Sequence, residues 1–153
     1  MTNPWSIIAK PTSELNVRLV SDQHPLALFW GVDVRGCYLF VVETATDAMP
    51  DRRSLPELAG IRLASTAADG RSRLMLLLNE NQNWELFLAL CNDLVRASAA
   101  GSGEAAAMAI LIRRLQRWHE FLRRQRSPIL PLEGIKGLIG ELLFLADTLA
   151  PRF

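Results

Sequence analysis

Near residue 79 the apolar residues change their period, and that change restricts the chain to an α+β architecture in two successive parts. Before it, apolar side chains come in short β-rich runs. Leu15, Val17 and Leu19 share one side of an alternating run from Glu14 to Val20. Residues 27–34 and 37–43 form two further runs joined around Arg35-Gly36, the pattern of a hairpin. Residues 61–65 make a shorter run. Within Arg73–Asn79 the five residues 74–78 are continuously apolar, which fits a strand buried on both faces. Pro25, Pro50, Pro56, Gly60 and Asp69-Gly70 separate the pieces, and residues 46–54 are polar and loop-like. Short strands with tight connections predict an antiparallel sheet.

After residue 79 the period becomes helical. From about residue 82 to 98, Trp84, Phe87, Leu88, Cys91, Leu94 and Val95 recur at steps of three and four. The small residues 99–103 end that helix. A second runs over 104–125 with Met108, Leu111, Leu115, Trp118 and Leu122 in one stripe, and Ser127-Pro128 stops it. A third is expected over 133–149, its inward face carrying Leu138, Leu142, Leu145 and Leu149 and widened by Ile139 and Phe144. The expected fold is therefore an antiparallel sheet of four to five strands followed by about three α-helices. Its parts are a β-rich region (1–79), a helical pair (80–127) and a terminal helix (128–153).

Composition excludes several classes. Lys and Arg number 17 against 16 Asp and Glu, a net charge of +1, so the chain is neither a polycation nor an acidic tail protein. Two cysteines cannot build a disulfide framework, and two histidines have no zinc-finger spacing. The start lacks a basic targeting region, and the longest apolar run, Ala105 to Ile112, falls far short of the roughly 20 residues of a membrane span. The expectation is a soluble, cytoplasmic protein with no membrane partner. No GxGxxG, GxxxxGK, HExxH or CxxC motif is present.

Two features remain as candidate chemistry. Glu141 sits in the strongly apolar stretch Gly137–Leu145, with Leu138 and Leu145 one turn away on the dry face. A carboxylate there is costly unless it is paired or bound to a cation. Gly134, Gly137 and Gly140 each cost about 1 kcal/mol of helix propensity, and they gain their use where another backbone comes close. One reading makes Glu141 a metal or catalytic carboxylate; the other places it at the stripe's edge, in water or paired with an arginine. The second feature is the basic helix. Between Glu104 and Ser127 six arginines (113, 114, 117, 123, 124 and 126) stand against Glu104 and Glu120, a local charge of +4. Arginine's planar donors suit phosphate, so Arg113, Arg117 and Arg124 are candidate nucleic-acid contacts; the competing reading is a solvated face. His119 has no serine or cysteine tied to it by local motif. Asp33 and Glu43 read as strand ends, and Cys37 and Cys91 as small apolar residues.

Taken in order, the segments resemble a family of bacterial PD-(D/E)XK, restriction-endonuclease-like proteins associated with phage defence. The resembling pieces are Arg18-Leu-Val-Ser21, Leu28-Phe-Trp-Gly-Val-Asp33 with Gly36 and Tyr38-Leu-Phe, Leu58-Ala-Gly-Ile61, Glu85–Leu94, Arg114-Leu-Gln-Arg-Trp118 with Phe121-Leu122, and Gly137–Leu145. They span almost the whole chain. The resemblance implies that Glu141 is the glutamate that a first core helix offers to a Mg²⁺ site. Following strands of such nucleases add an aspartate and an acidic-x-Lys element, and together these position water and neutralise charge on the scissile phosphate. Here the only lysines are Lys10 and Lys136, and neither follows an acidic-x pair. The chain thus matches the amino-terminal portion of the architecture. The expected role is an accessory, DNA-positioning region that holds no Mg²⁺ tightly and is inactive alone. DNA is one expected partner; the others are a nuclease core or a second copy docked through the terminal helix. The alternative classes are a non-enzymatic interaction or dimerisation module and a nucleic-acid-binding module using the arginine helix.

Overall fold

Five strands and two α-helices form around one core in the computed structural model, which describes residues 2–51, 53 and 55–124. The strands are β1 (Leu15–Leu19), β2 (Ala27–Asp33), β3 (Tyr38–Ala45), β4 (Ile61–Ala68) and β5 (Arg71–Leu78). Every neighbouring pair is antiparallel, in the order β1-β2-β3-β5-β4. The helices are α1 (Trp84–Ser98) and α2 (Glu104–Arg124). The third expected helix, with Glu141, lies outside the described residues.

Turn chemistry sets the register. Between β2 and β3 the Asp33 carboxylate accepts from the backbone N–H of Arg35 and of Cys37, both at 2.9 Å, while Gly36 takes a φ of +83°. An Asp side chain that closes its own turn is an efficient substitute for backbone pairing. Between β4 and β5, Asp69 and Gly70 have φ of 55° and 76°, the two left-handed positions that match the twist of a tight hairpin.

One face of the sheet is buried by the helices. Leu28, Trp30 and Val32 of β2, Phe40 and Val42 of β3, and Leu74, Leu76 and Leu78 of β5 meet Phe87, Leu90 and Leu94 of α1 and Met108, Leu111 and Leu115 of α2. Full burial of such side chains stabilises by about 1.5–3 kcal/mol each before the entropy of ordering them is counted. The expectation that β5 is buried on both faces is corrected. Its burial alternates, with Arg73 exposed and Met75 and Leu77 only half-buried, because α1 and α2 both lie on the other side. The apolar side of β1 also points away from the helices. Val17 lies opposite Gly31 and Leu19 opposite Phe29 in register, leaving Val17 42% and Leu19 46% exposed on an edge strand.

The amino-terminal residues add a plug. Asn3 caps a 3-10 turn, Pro4–Ile7, by accepting from the Trp5 backbone N–H. Trp5 is buried, stacked between Tyr38 and Phe87 and edge-on to Trp30, and its indole N–H donates to the Leu39 carbonyl at 2.8 Å. Where α1 turns into α2, Gly101 passes close to the next helix. A Cβ there would lie 2.5 Å from both N and Cα of Ala107.

Candidate nucleic-acid interface

The two helices are joined by a buried ion pair. Arg114 of α2 donates through Nε and one Nη to the two carboxylate oxygens of Asp93 on α1, at 2.6 and 2.8 Å. The Trp118 indole N–H donates to the same carboxylate at 2.6 Å. Asp93 is 2% exposed and Arg114 5%. Both partners are satisfied by bidentate geometry, the condition under which a buried charge pair is tolerated. Arg114 is therefore an internal bolt, and its charge leaves the basic face that the sequence assigned to it. Asp93 carries no sequence signal beyond its phase, because it falls among buried positions of α1.

The three expected contact residues stay on the outside. Arg113, Arg117 and Arg124 are all exposed, and at 100° per residue they fall within about 40° of one another around α2. Glu120 shares that side and lies 3.8 Å from Arg123 across one helical turn. The acidic start of α2 is balanced elsewhere. Glu104 accepts from Arg71 at 2.8 Å, and Glu43 lies near both Arg71 and Arg73. The Arg71 guanidinium is held protonated more firmly than an isolated arginine, chiefly by its hydrogen bond with Glu104 and then by the charges of Glu104 and Glu43. The carboxylate in the first turn of α2 also suits the positive end of the helix dipole. From Arg113 onward the exposed positions of α2 are Arg113, Gln116, Arg117, Glu120, Arg123 and Arg124.

Beside this row, α1 and α2 enclose a groove of about 830 Å³. Arg96 and Ala97 of α1, with Ala100 just beyond its end, line one wall, and Ile110, Arg113, Arg117 and Glu120 of α2 line the other.

A serine and a histidine also meet, unforeseen from sequence because Ser98 and His24 are 74 residues apart. Ser98 Oγ is 3.1 Å from His24 Nε2. The network assigns the tautomer: Nδ1 accepts from the Leu26 backbone N–H at 3.0 Å, so Nε2 carries the proton and donates towards the Val95 carbonyl at 3.0 Å. Ser98 donates to the Leu94 carbonyl at 2.6 Å. A ring nitrogen that already bears hydrogen cannot deprotonate the serine, so the pair clasps the end of α1 to the start of β2. His119, likewise, sits 2.6 Å from the Glu57 carbonyl and ties α2 to the segment before β4.

The described residues do not fit a Mg²⁺ site. Among them no group of three His, Cys, Asp or Glu side chains comes together in a way that could hold a metal. Asp93 spends both oxygens on Arg114 and Trp118, and Glu43 and Glu104 face arginines. Glu141 lies outside the described residues. Among those residues no helix is long and apolar enough to cross a membrane.

A protein-family model described as "Putative PD-(D/E)XK family member, (DUF4420)" matches residues 1–153. No curated protein and no solved structure matches the chain.

Proposed function

The chain belongs to this PD-(D/E)XK-like family, DUF4420, and on that footing we propose that it is the amino-terminal DNA-positioning region of a nuclease working in a restriction or phage-defence system. PD-(D/E)XK nucleases generally use Mg²⁺, and by resemblance Glu141 is the residue of this chain that would contribute to such a site. The observation that supports the positioning role is the row of Arg113, Arg117 and Arg124 along one exposed side of α2. Guanidinium groups so aligned meet successive phosphates of a duplex, and each neutralised phosphate releases counterions. Contacts of that kind fix register without reading sequence, as expected of a region that presents DNA to chemistry elsewhere.

The test is duplex binding by fluorescence anisotropy between 50 and 200 mM salt. Replacing Arg113, Arg117 and Arg124 together with glutamine is expected to weaken binding. It should also flatten the plot of log affinity against log salt by about 2–3 units of slope. Unchanged affinity and slope in a folded triple variant would remove the reading.

A second reading, a protein-interaction or dimerisation module, is favoured by the exposed Val17 and Leu19 on edge strand β1. Light scattering over a concentration series separates the two: a strict monomer that binds duplex supports the first, and a DNA-indifferent dimer the second.

A further inference from the structure

The sheet ends in two edge strands, β1 and β4. Their backbones differ in what they offer. Val20, just past β1, donates its N–H to the Leu28 carbonyl at 2.8 Å, so Val20, Arg18 and Asn16 turn their main-chain groups towards β2. Leu15, Val17 and Leu19 alternate with them and turn theirs outward, where no main-chain partner meets them among the described residues. The same three residues carry the apolar side chains that share one face of the strand. β4 is more closed. Leu58 bridges to Ile61, whose N–H donates to the Leu58 carbonyl, and the exposed positions Arg62, Ser65, Thr66 and Ala67 bring little apolar area. An edge with open N–H and C=O groups accepts another strand, and apolar side chains beside those groups make the addition favourable.

We infer that β1 pairs antiparallel with β1 of a second copy of this chain, about a twofold axis at Val17. The inference rests on the dimerisation reading of β1 and not on DNA binding. Main-chain parity fits. With Val17 facing the partner's Val17, Leu15 faces the partner's Leu19 and Leu19 faces the partner's Leu15, so every pair joins outward-turned groups and exchanges two hydrogen bonds. The apolar side chains then stand side by side across the join and cover Val17 and Leu19, the exposed pair. Charge selects the register. On the other face Asn16 meets the partner's Arg18, and the partner's Glu14 lies diagonal to Arg18, within reach of so long a side chain. Neither Glu14 nor Arg18 has an ion pair among the described residues. The twofold makes each of these contacts twice. Moving the axis to Arg18 would set two guanidinium groups face to face. Moving it to Asn16 would leave Leu19 opposite the partner's Ser13, which lies outside the strand.

The experiment is sedimentation velocity on the full chain, over concentrations up to about 0.5 mM. A monomer–dimer equilibrium is expected. Val17→Pro removes one outward N–H without touching the bonds to β2, and it should weaken the dimer about tenfold or more. Arg18→Glu and Glu14→Arg should each weaken it by a smaller, salt-sensitive factor of about three or more, because each sets like charges on the diagonal. Arg18→Glu combined with Glu14→Arg should restore the original affinity. Within one chain these residues are four apart on an extended segment, about 13 Å, so the rescue reads a contact between copies. The rescue also shows that the single variants still fold. A strict monomer would overturn the inference and the dimerisation reading together, leaving the DNA-positioning role standing. A dimer indifferent to these substitutions would keep dimerisation, place the contact elsewhere and overturn the inference alone.

Discussion

Asp93 and Arg114 meet face to face inside the molecule, one on each helix, with two hydrogen bonds of 2.6 and 2.8 Å and almost no exposure. Asp93→Ala strands a guanidinium and an indole N–H in the core, a loss expected to cost about 3–5 kcal/mol in urea unfolding. Asp93→Leu combined with Arg114→Met removes both charges and should recover most of that loss. Equal stability of the single and the double variant would show instead that the guanidinium left by Asp93→Ala carries no penalty of its own.

Thr44 presents the opposite case. Its side chain is fully buried on β3, and among the described residues its hydroxyl has no hydrogen-bond partner. Thr44→Val keeps the shape and removes the stranded group, so it is expected to stabilise by about 1 kcal/mol or more in the same unfolding assay. A destabilised variant would mean that the hydroxyl is satisfied.

The cysteines should differ in chemistry. Burial pushes the Cys91 thiol well above its ordinary range, whereas Cys37 is half-buried. Iodoacetamide at pH 8 is expected to label Cys37 in the folded protein and Cys91 only after denaturant is added, as read by peptide mass. The same shift has a sign for stability. The folded state retains the Cys91 proton longer than the unfolded chain, so its contribution is complete below the unfolded thiol pKa of about 8.5 and declines as pH rises beyond it. The alkaline decline in unfolding free energy should be shallower in Cys91→Ala.

Phosphodiester hydrolysis by this chain alone is not expected with either Mg²⁺ or Mn²⁺. Neither lysine of the sequence follows an acidic-x pair, the element that such nucleases add to their metal site. Plasmid nicking checks this; cleavage that needs metal and disappears in Glu141→Gln would reverse it.

Sequence periodicity located each described strand and helix to within about three residues at its ends, because an apolar run must keep its phase to keep its face. It could not say which face would be covered. Leu15, Val17 and Leu19 do share a side, yet the helices chose the other side of the sheet. Arg113, Arg117 and Arg124 were legible as an exposed row, since a charged side chain off the apolar stripe reaches water. Arg114 looked like one more member, and only the position of Asp93 on the neighbouring helix shows that it points inward. Pairings across long sequence separations, such as His24 with Ser98 or Trp5 with Leu39, leave no local periodicity to read.

The direction in which the arginine row faces traces back to a single hydrogen atom. At Gly101 nothing larger fits before the first turn of α2, so a methyl group would act as a wedge and swing that helix on its stem. The Asp93–Arg114 bolt would then have to stretch or let the whole rod pivot. Gly101 thus works as the pivot pin of an aimed lever, setting where the far end, with Arg124, comes to rest.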